Sequence, residues 1–224
     1  SGIYLLGKVL RAASLLPTDP ADATKFLVRT PMRIVFPEDP KKSGALAGSK
    51  KLPVVVLVHG QHVAWRPNYA PAGTTTTVTD STGAAHTLGV FDTATSIVDV
   101  PNHEGYERLQ DELARLGMVS VSVSTNAANT FGSLIDMRAG TVAAALEHLK
   151  SLHEDPASRY HDRLDLHKIG LMGHSRGGDV VVALAKRRKG DARFTVKAVC
   201  SLAPTDFTGT ATDATRLALA ADDV

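Results

Sequence analysis

One cysteine in 224 residues excludes an internal disulfide, so packing and hydrogen bonds must hold this chain together. Cys200 falls inside an apolar strand pattern, Phe194 to Leu202, which predicts a buried and unreactive thiol. Aromatic residues are also scarce, at 5% with a single tryptophan, which leaves the core to aliphatic side chains. No apolar run reaches the ~20 residues of a membrane-crossing helix, and the stretch Ile3 to Leu10 is interrupted by Gly7 and Lys8, so no transmembrane segment is expected. Neither charge sign dominates. A net charge of +2 does not point to nucleic acid, and the one basic run, Lys186-Arg187-Arg188-Lys189, reads as a solvated helix end. Residues 1–16 show no initiator methionine and no cleavage signature, as expected for the start of a processed or trimmed chain.

The sequence does contain the composition of a globular chain, 43% hydrophobic and 21% charged, and a single domain over 1–224 is expected. Its most informative stretch runs from Lys168 to Leu184. Ile169-Gly170-Leu171-Met172 reads as a buried strand, Asp179 to Lys189 reads as a helix, and Gly173-His174-Ser175-Arg176-Gly177 between them has the form G-x-S-x-G. That pattern holds a serine on a sharp strand-to-helix turn with its hydroxyl facing open space. The glycines do not fit G-x-G-x-x-G, and no Gly-Lys-Ser/Thr follows, which excludes the phosphate-binding loops. Leu52 to Val58 is a nearly continuous β-branched run, as in a central parallel strand covered on both faces, and it ends at His59-Gly60.

These two stretches, with Asn102 to Ser124 as a third, resemble the α/β-hydrolase superfamily, in particular its esterase, lipase, cutinase and polyester-hydrolase-like members. The resemblance covers residues 27–204 and is poor between Gln61 and Pro101. It implies an α/β fold with a mostly parallel, doubly wound sheet. It also implies cleavage of carboxylic esters, small or polymeric, by Ser175, with the backbone N–H groups of Gln61 and Arg176 holding the oxyanion. Such chemistry needs no metal and no organic cofactor. An amidase or peptidase is the near neighbour, since the same constellation cleaves amides. The 61–101 insertion leaves the end of the central strand and therefore belongs over the carboxyl edge of the sheet, where ligands bind in open α/β folds. Its pattern predicts a loop carrying a hairpin. Trp65 and Tyr69 are candidates for a substrate-binding wall, with aromatics packed under a long loop as the other reading.

The remaining chain fills in around this frame. Apolar spacing over 3–16 predicts a short helix, and Phe26 to Thr30 and Met32 to Phe36 read as early strands on either side of Pro31. Tyr106 to Leu116 reads as a helix, Met118 to Val123 as the next parallel strand, Ser133 to His153 as a long helix and Thr212 to Ala221 as the start of another. Asp136 and Arg138 fit a first-turn charge pattern, with orientation of loops around the site as the alternative. His59 is read as a ring hydrogen-bonded to neighbouring loops; with His62 it lacks the spacing of a helical metal site.

What the serine lacks is equally informative. A serine hydroxyl needs a histidine to take its proton and a carboxylate to orient that histidine, and in the superfamily both follow the serine in the order acid, then histidine. All nine histidines, at positions 59, 62, 86, 103, 148, 153, 161, 167 and 174, precede Ser175. Asp206, Asp213, Asp222 and Asp223 follow it, but none closes a recognisable strand. Three readings stay open. In the first, the last strands, acid and histidine come from a complementing C-terminal segment of the same protein, the fold being incomplete at its carboxyl end within 1–224. Alternatively the chain is a non-catalytic binding module, or His103 or His62 has moved into the base position. The threonine-rich insertion leans toward an exported protein.

Overall fold

Five strands build the sheet that carries the site: β1 (Met32–Val35), β2 (Leu52–Val58), β3 (Val119–Val123), β4 (Leu164–His174) and β5 (Val196–Leu202), side by side in the order β5-β4-β2-β3-β1. The computed structural model describes residues 2–6, 18–19, 22–39, 42–62, 65–67, 75–79, 85–89, 97–129 and 135–205. Strands β2 to β5 run parallel and β1 is antiparallel to β3. Register aligns their carboxyl ends: Val58 stands opposite both Val123 and Gly173, and His174 opposite Leu202. His59, Ser124 and Ser175 therefore leave the sheet at one edge, as ligand sites in open α/β sheets require.

Side-chain alternation decides which helix covers which face. Val54, Val56 and Val58 of β2 and Val119, Val121 and Val123 of β3 share one buried cluster with Ala139, Val142, Leu146 and Leu149 of α2 (Ile135–Glu154) and Val180, Val181 and Leu184 of α3 (Arg176–Arg188). Each fully buried valine is worth about 1.5–3 kcal/mol. Ser120 and Ser122 take the alternate positions and face the other way, toward α1 (Glu107–Arg115). There the buried Gln110 amide donates to the Arg33 and Ser120 carbonyls at 3.0 and 3.4 Å. Helices on both faces of a mostly parallel sheet make it doubly wound.

Several expectations need correction. The helix expected over 3–16 is replaced at Gly2–Leu6 by a strand paired antiparallel with Asp22–Thr30, which in turn pairs with Thr18–Asp19. A short apolar run suits either period, and an available strand partner decides it; residues 7–17 lie outside the described residues. The strand at Val196–Leu202 is an edge among the described residues, so it is only partly covered. Cys200 is exposed rather than buried, and Leu202 is 40% exposed. The basic helix end is more than solvated. Arg188 bonds Glu147 of α2 and Asp191, Arg187 pairs with Asp136, and the Arg188 and Arg193 guanidinium groups lie over the Phe194 ring at 5.0 and 5.3 Å.

The 61–101 excursion carries the expected hairpin, Thr75–Thr79 against Ala85–Gly89, and Trp65–Pro67 pairs antiparallel with Ile97–Asp99. The Trp65 side chain, Tyr69, Asp206, Asp213, Asp222, Asp223 and the helix expected from Thr212 lie outside what is described.

Candidate active site

Ser175 adopts φ 55° and ψ −127°, between β4 and the first turn of α3. A serine in this region is strained by about 1–3 kcal/mol, and backbone bonds on both sides hold it. Its N–H donates to the Leu202 carbonyl at 2.8 Å, and its own carbonyl accepts the Gly178 N–H at 2.7 Å. The neighbouring glycines answer to crowding. A Cβ on Gly173 would stand 2.1 Å from the Gly177 carbonyl oxygen, and one on Gly177 would stand 2.2 Å from the Val58 carbonyl oxygen. The helix thus starts in direct backbone contact with β4 and β2. A Cβ on Gly60 would meet the Ser175 Cβ at 3.0 Å, so the His59-Gly60-Gln61 turn lies directly against the serine. Arg176, the first residue of α3, has its N–H at the end of the helix where amides point outward and favour negative charge.

Tyr106 supports this arrangement from below. Its hydroxyl donates to the Val58 carbonyl at 3.1 Å, tying the residue before α1 to the end of β2. Burial raises the phenol pKa, while a hydrogen bond from the His174 backbone acts in the opposite direction, so the hydroxyl bridges β2 and β4 beside the elbow. Tyr106→Phe removes both of these partly buried hydrogen bonds and should lower stability by about 1–2 kcal/mol, read as a shifted urea midpoint at unchanged slope.

His59 is a structural ring, as expected. It is 2% exposed; its Nδ1 donates to the Gly60 carbonyl at 2.7 Å and its Nε2 accepts the Thr125 N–H at 2.9 Å. Those two bonds assign the Nδ1–H tautomer. Burial lowers the pKa from 6.5 to about 4; the Gly60 bond opposes that and the nearby Arg138 charge reinforces it. Between these values the unfolded chain carries a proton on His59 that the folded chain does not. Stability therefore falls as the pH drops from 6.5 toward 4, by about 3 kcal/mol at most from this group, and is unaffected by it above neutrality. NMR titration of the ring should give a midpoint near the lowered value; an ordinary midpoint of 6.5 contradicts the assignment.

Two buried charges lie under the elbow. Asp179, in the first turn of α3, accepts the Thr205 N–H at 3.0 Å and the Thr205 hydroxyl at 2.6 Å, which ties down the chain leaving β5. Arg138 is fully buried and donates to the Thr125 hydroxyl at 2.9 Å and to Gln61 Oε1 at 3.3 Å. Burial brings its pKa down to about 10; the Arg176 charge acts in the same direction and Asp179 opposes them. The simple first-turn reading therefore fails for Arg138, whose side chain turns inward to the site, and holds for Asp136, paired with Arg187 at the surface. Asn126 secures the return of the excursion, donating to the Val100 carbonyl at 2.6 Å and accepting from Asn102 at 2.8 Å.

The structure brings Gln61, Arg176 and Ser175 to one edge. Among the described residues no histidine ring hydrogen-bonds the Ser175 hydroxyl. His103 is buried in the short helical turn Asn102–Glu104, and the His62 ring is 6.2 Å from that of His59. Tyr106, Asp179 and Thr205 were not singled out from the sequence. Each is a lone polar residue on a different element, and only the alignment of strand ends brings them together.

A strained serine between a parallel strand and the helix that follows it, at the carboxyl edge of a doubly wound sheet, defines a chain of the α/β-hydrolase fold. A family model described as PET hydrolase-like matches residues 66–222, and the chain belongs to that family. The match takes in the 66–101 stretch that looked least like the superfamily's esterases. Among solved structures, the chain is similar to S-formylglutathione hydrolase from Staphylococcus aureus at 14% identity, covering 97% of this chain and 67% of that one with a TM-score of 0.43. It is also similar to a bacterial heroin esterase (15% identity, 87% and 42% covered, TM-score 0.39). A third is dienelactone hydrolase from Anabaena variabilis (14%, 88% and 62%, TM-score 0.39). The chain thus spans 42% to 67% of the length of these three proteins. No curated protein matches it. None of the described helices is long and apolar enough to cross a membrane.

Proposed function

We propose that this protein is a serine hydrolase that cleaves carboxylic esters through an acyl-enzyme. Ser175 Oγ attacks the ester carbonyl, forming a C–O bond while its proton passes to a histidine, and the carbonyl electrons move onto oxygen. The Gln61 and Arg176 N–H groups hold that oxyanion, whose charge exists only during reaction, and each such donor is worth about 3–4 kcal/mol. Collapse expels the alcohol, which takes the proton from the histidine. Water then attacks the acyl-serine by the same route in reverse and releases the acid. The histidine and its orienting acid are proposed to lie on a segment outside residues 1–224, because every histidine of the chain precedes Ser175 and none of the described ones bonds it. Trp65, Tyr69 and the excursion around them are proposed to shape the acyl or alcohol pocket, since both ends of that excursion leave from the site edge.

One observation carries this reading: Ser175 holds a positive-φ elbow conformation with the Gly60 turn packed against its Cβ. A structural glycine turn has no need of either. The test is an acid quench of the full-length protein during turnover of an activated ester, followed by peptide mass analysis. An acyl adduct on the peptide containing Ser175 is expected. Turnover without an adduct, or an adduct elsewhere, overturns the mechanism. The absence of a described histidine partner is the one observation that favours a non-catalytic binding module, and that reading requires no turnover at all.

A further inference from the structure

We propose that Arg138 is a positioning residue for the oxyanion turn, fixing the plane of the Gly60–Gln61 peptide through Thr125, His59 and the Gln61 side chain. The inference rests on the ester-hydrolase reading of this same site. The Gly60 carbonyl and the Gln61 N–H belong to one planar trans peptide, so they point in opposite directions. Fixing the carbonyl therefore aims the N–H. His59 Nδ1 donates to that carbonyl at 2.7 Å, and the ring is itself held at Nε2 by the Thr125 N–H at 2.9 Å. Arg138 Nη1 donates to the Thr125 hydroxyl at 2.9 Å, and Nη2 reaches Gln61 Oε1 at 3.3 Å. Two arms of one guanidinium thus converge on the same peptide, one through the loop after β3 and the other through the residue whose N–H is the donor.

Without such restraint, a turn that leaves a strand end can rotate a peptide and withdraw its N–H from the site. The choice of residue fits the task. Arginine keeps its charge and offers a rigid planar fork, whereas lysine presents a point charge on a flexible stem and does not reproduce both directions at once. The charge sits fully out of water near Asp179, on helix α2, whose inner face packs into the core.

The test compares two inhibitors on the full-length protein. A trifluoromethyl ketone adds to Ser175 and places an oxyanion between the Gln61 and Arg176 amides. The matched secondary alcohol fills the pocket and forms none. Arg138→Lys keeps the buried charge, and Gln61→Ala keeps the backbone N–H at an exposed position, so both variants should fold. Each should weaken the ketone by about 10- to 100-fold while leaving the alcohol within about twofold, and the double variant should be no weaker than the weaker single. Equal loss for both inhibitors, no loss for either, or multiplicative loss in the double variant overturns the inference. If the wild-type protein does not prefer the ketone over the alcohol, the ester-hydrolase reading falls and the inference falls with it. If it does and the variants keep that preference, only the role of Arg138 is lost.

Discussion

Replacing Ser175 by alanine should lower ester turnover of the full-length protein by about a millionfold, with the unfolding free energy from urea denaturation changing by no more than about 0.5 kcal/mol. The two expectations belong together. Alanine has the same Cβ as serine, so the positive-φ backbone, its bonds to Leu202 and Gly178 and the contact with Gly60 are unchanged. Only the hydroxyl goes. A large drop in stability would make Ser175 a structural residue; retained turnover would place the nucleophile elsewhere. Steady-state kinetics and equilibrium denaturation on the same preparation separate these outcomes.

Gly177→Ala should have the opposite signature, losing stability and turnover together. The new Cβ would fall 2.2 Å from the Val58 carbonyl oxygen and 2.8 Å from that of His59. Both neighbours are backbone, at the end of a strand buried on two faces, so no side chain can swing aside. Either α3 shifts outward, taking Ser175 and the Arg176 N–H with it, or the His59-Gly60 turn moves and takes the Gln61 N–H. The destabilisation should reach about 3 kcal/mol or more, the upper end for overpacking, and turnover should fall by about 100-fold or more as a donor leaves its place. Denaturation and kinetics are again the measurements. A variant with normal stability would contradict the backbone contact between α3 and β2.

How much of this was legible in the sequence follows from the range of each signal. The elbow was, because Gly173, Ser175 and Gly177 lie within five residues and a strand and a helix flank them with distinct periods. The central strand Leu52–Val58 was, because a chain buried on both faces has to be apolar throughout. The amino-terminal strand was not: Ile3 to Leu6 suits a helix or a strand equally, and the deciding partner, Asp22–Thr30, is remote. Cys200 was misjudged because strand pattern reports composition, whereas exposure depends on whether a neighbour covers the strand, and β5 is an edge among the described residues. Arg138 was the least legible. Near a helix start an arginine has an ordinary surface reading, and its inward turn depends on Gln61, seventy-seven positions earlier in the chain, meeting Thr125 at the same sheet edge.

The elbow should present Ser175 as a reactive nucleophile. Incubating the full-length, folded protein with a fluorophosphonate probe and mapping the modified peptide by mass spectrometry tests it most directly. A single covalent adduct on Ser175, abolished by Ser175→Ala, is expected. A folded protein that takes up no probe, or takes it up at another residue, would contradict it.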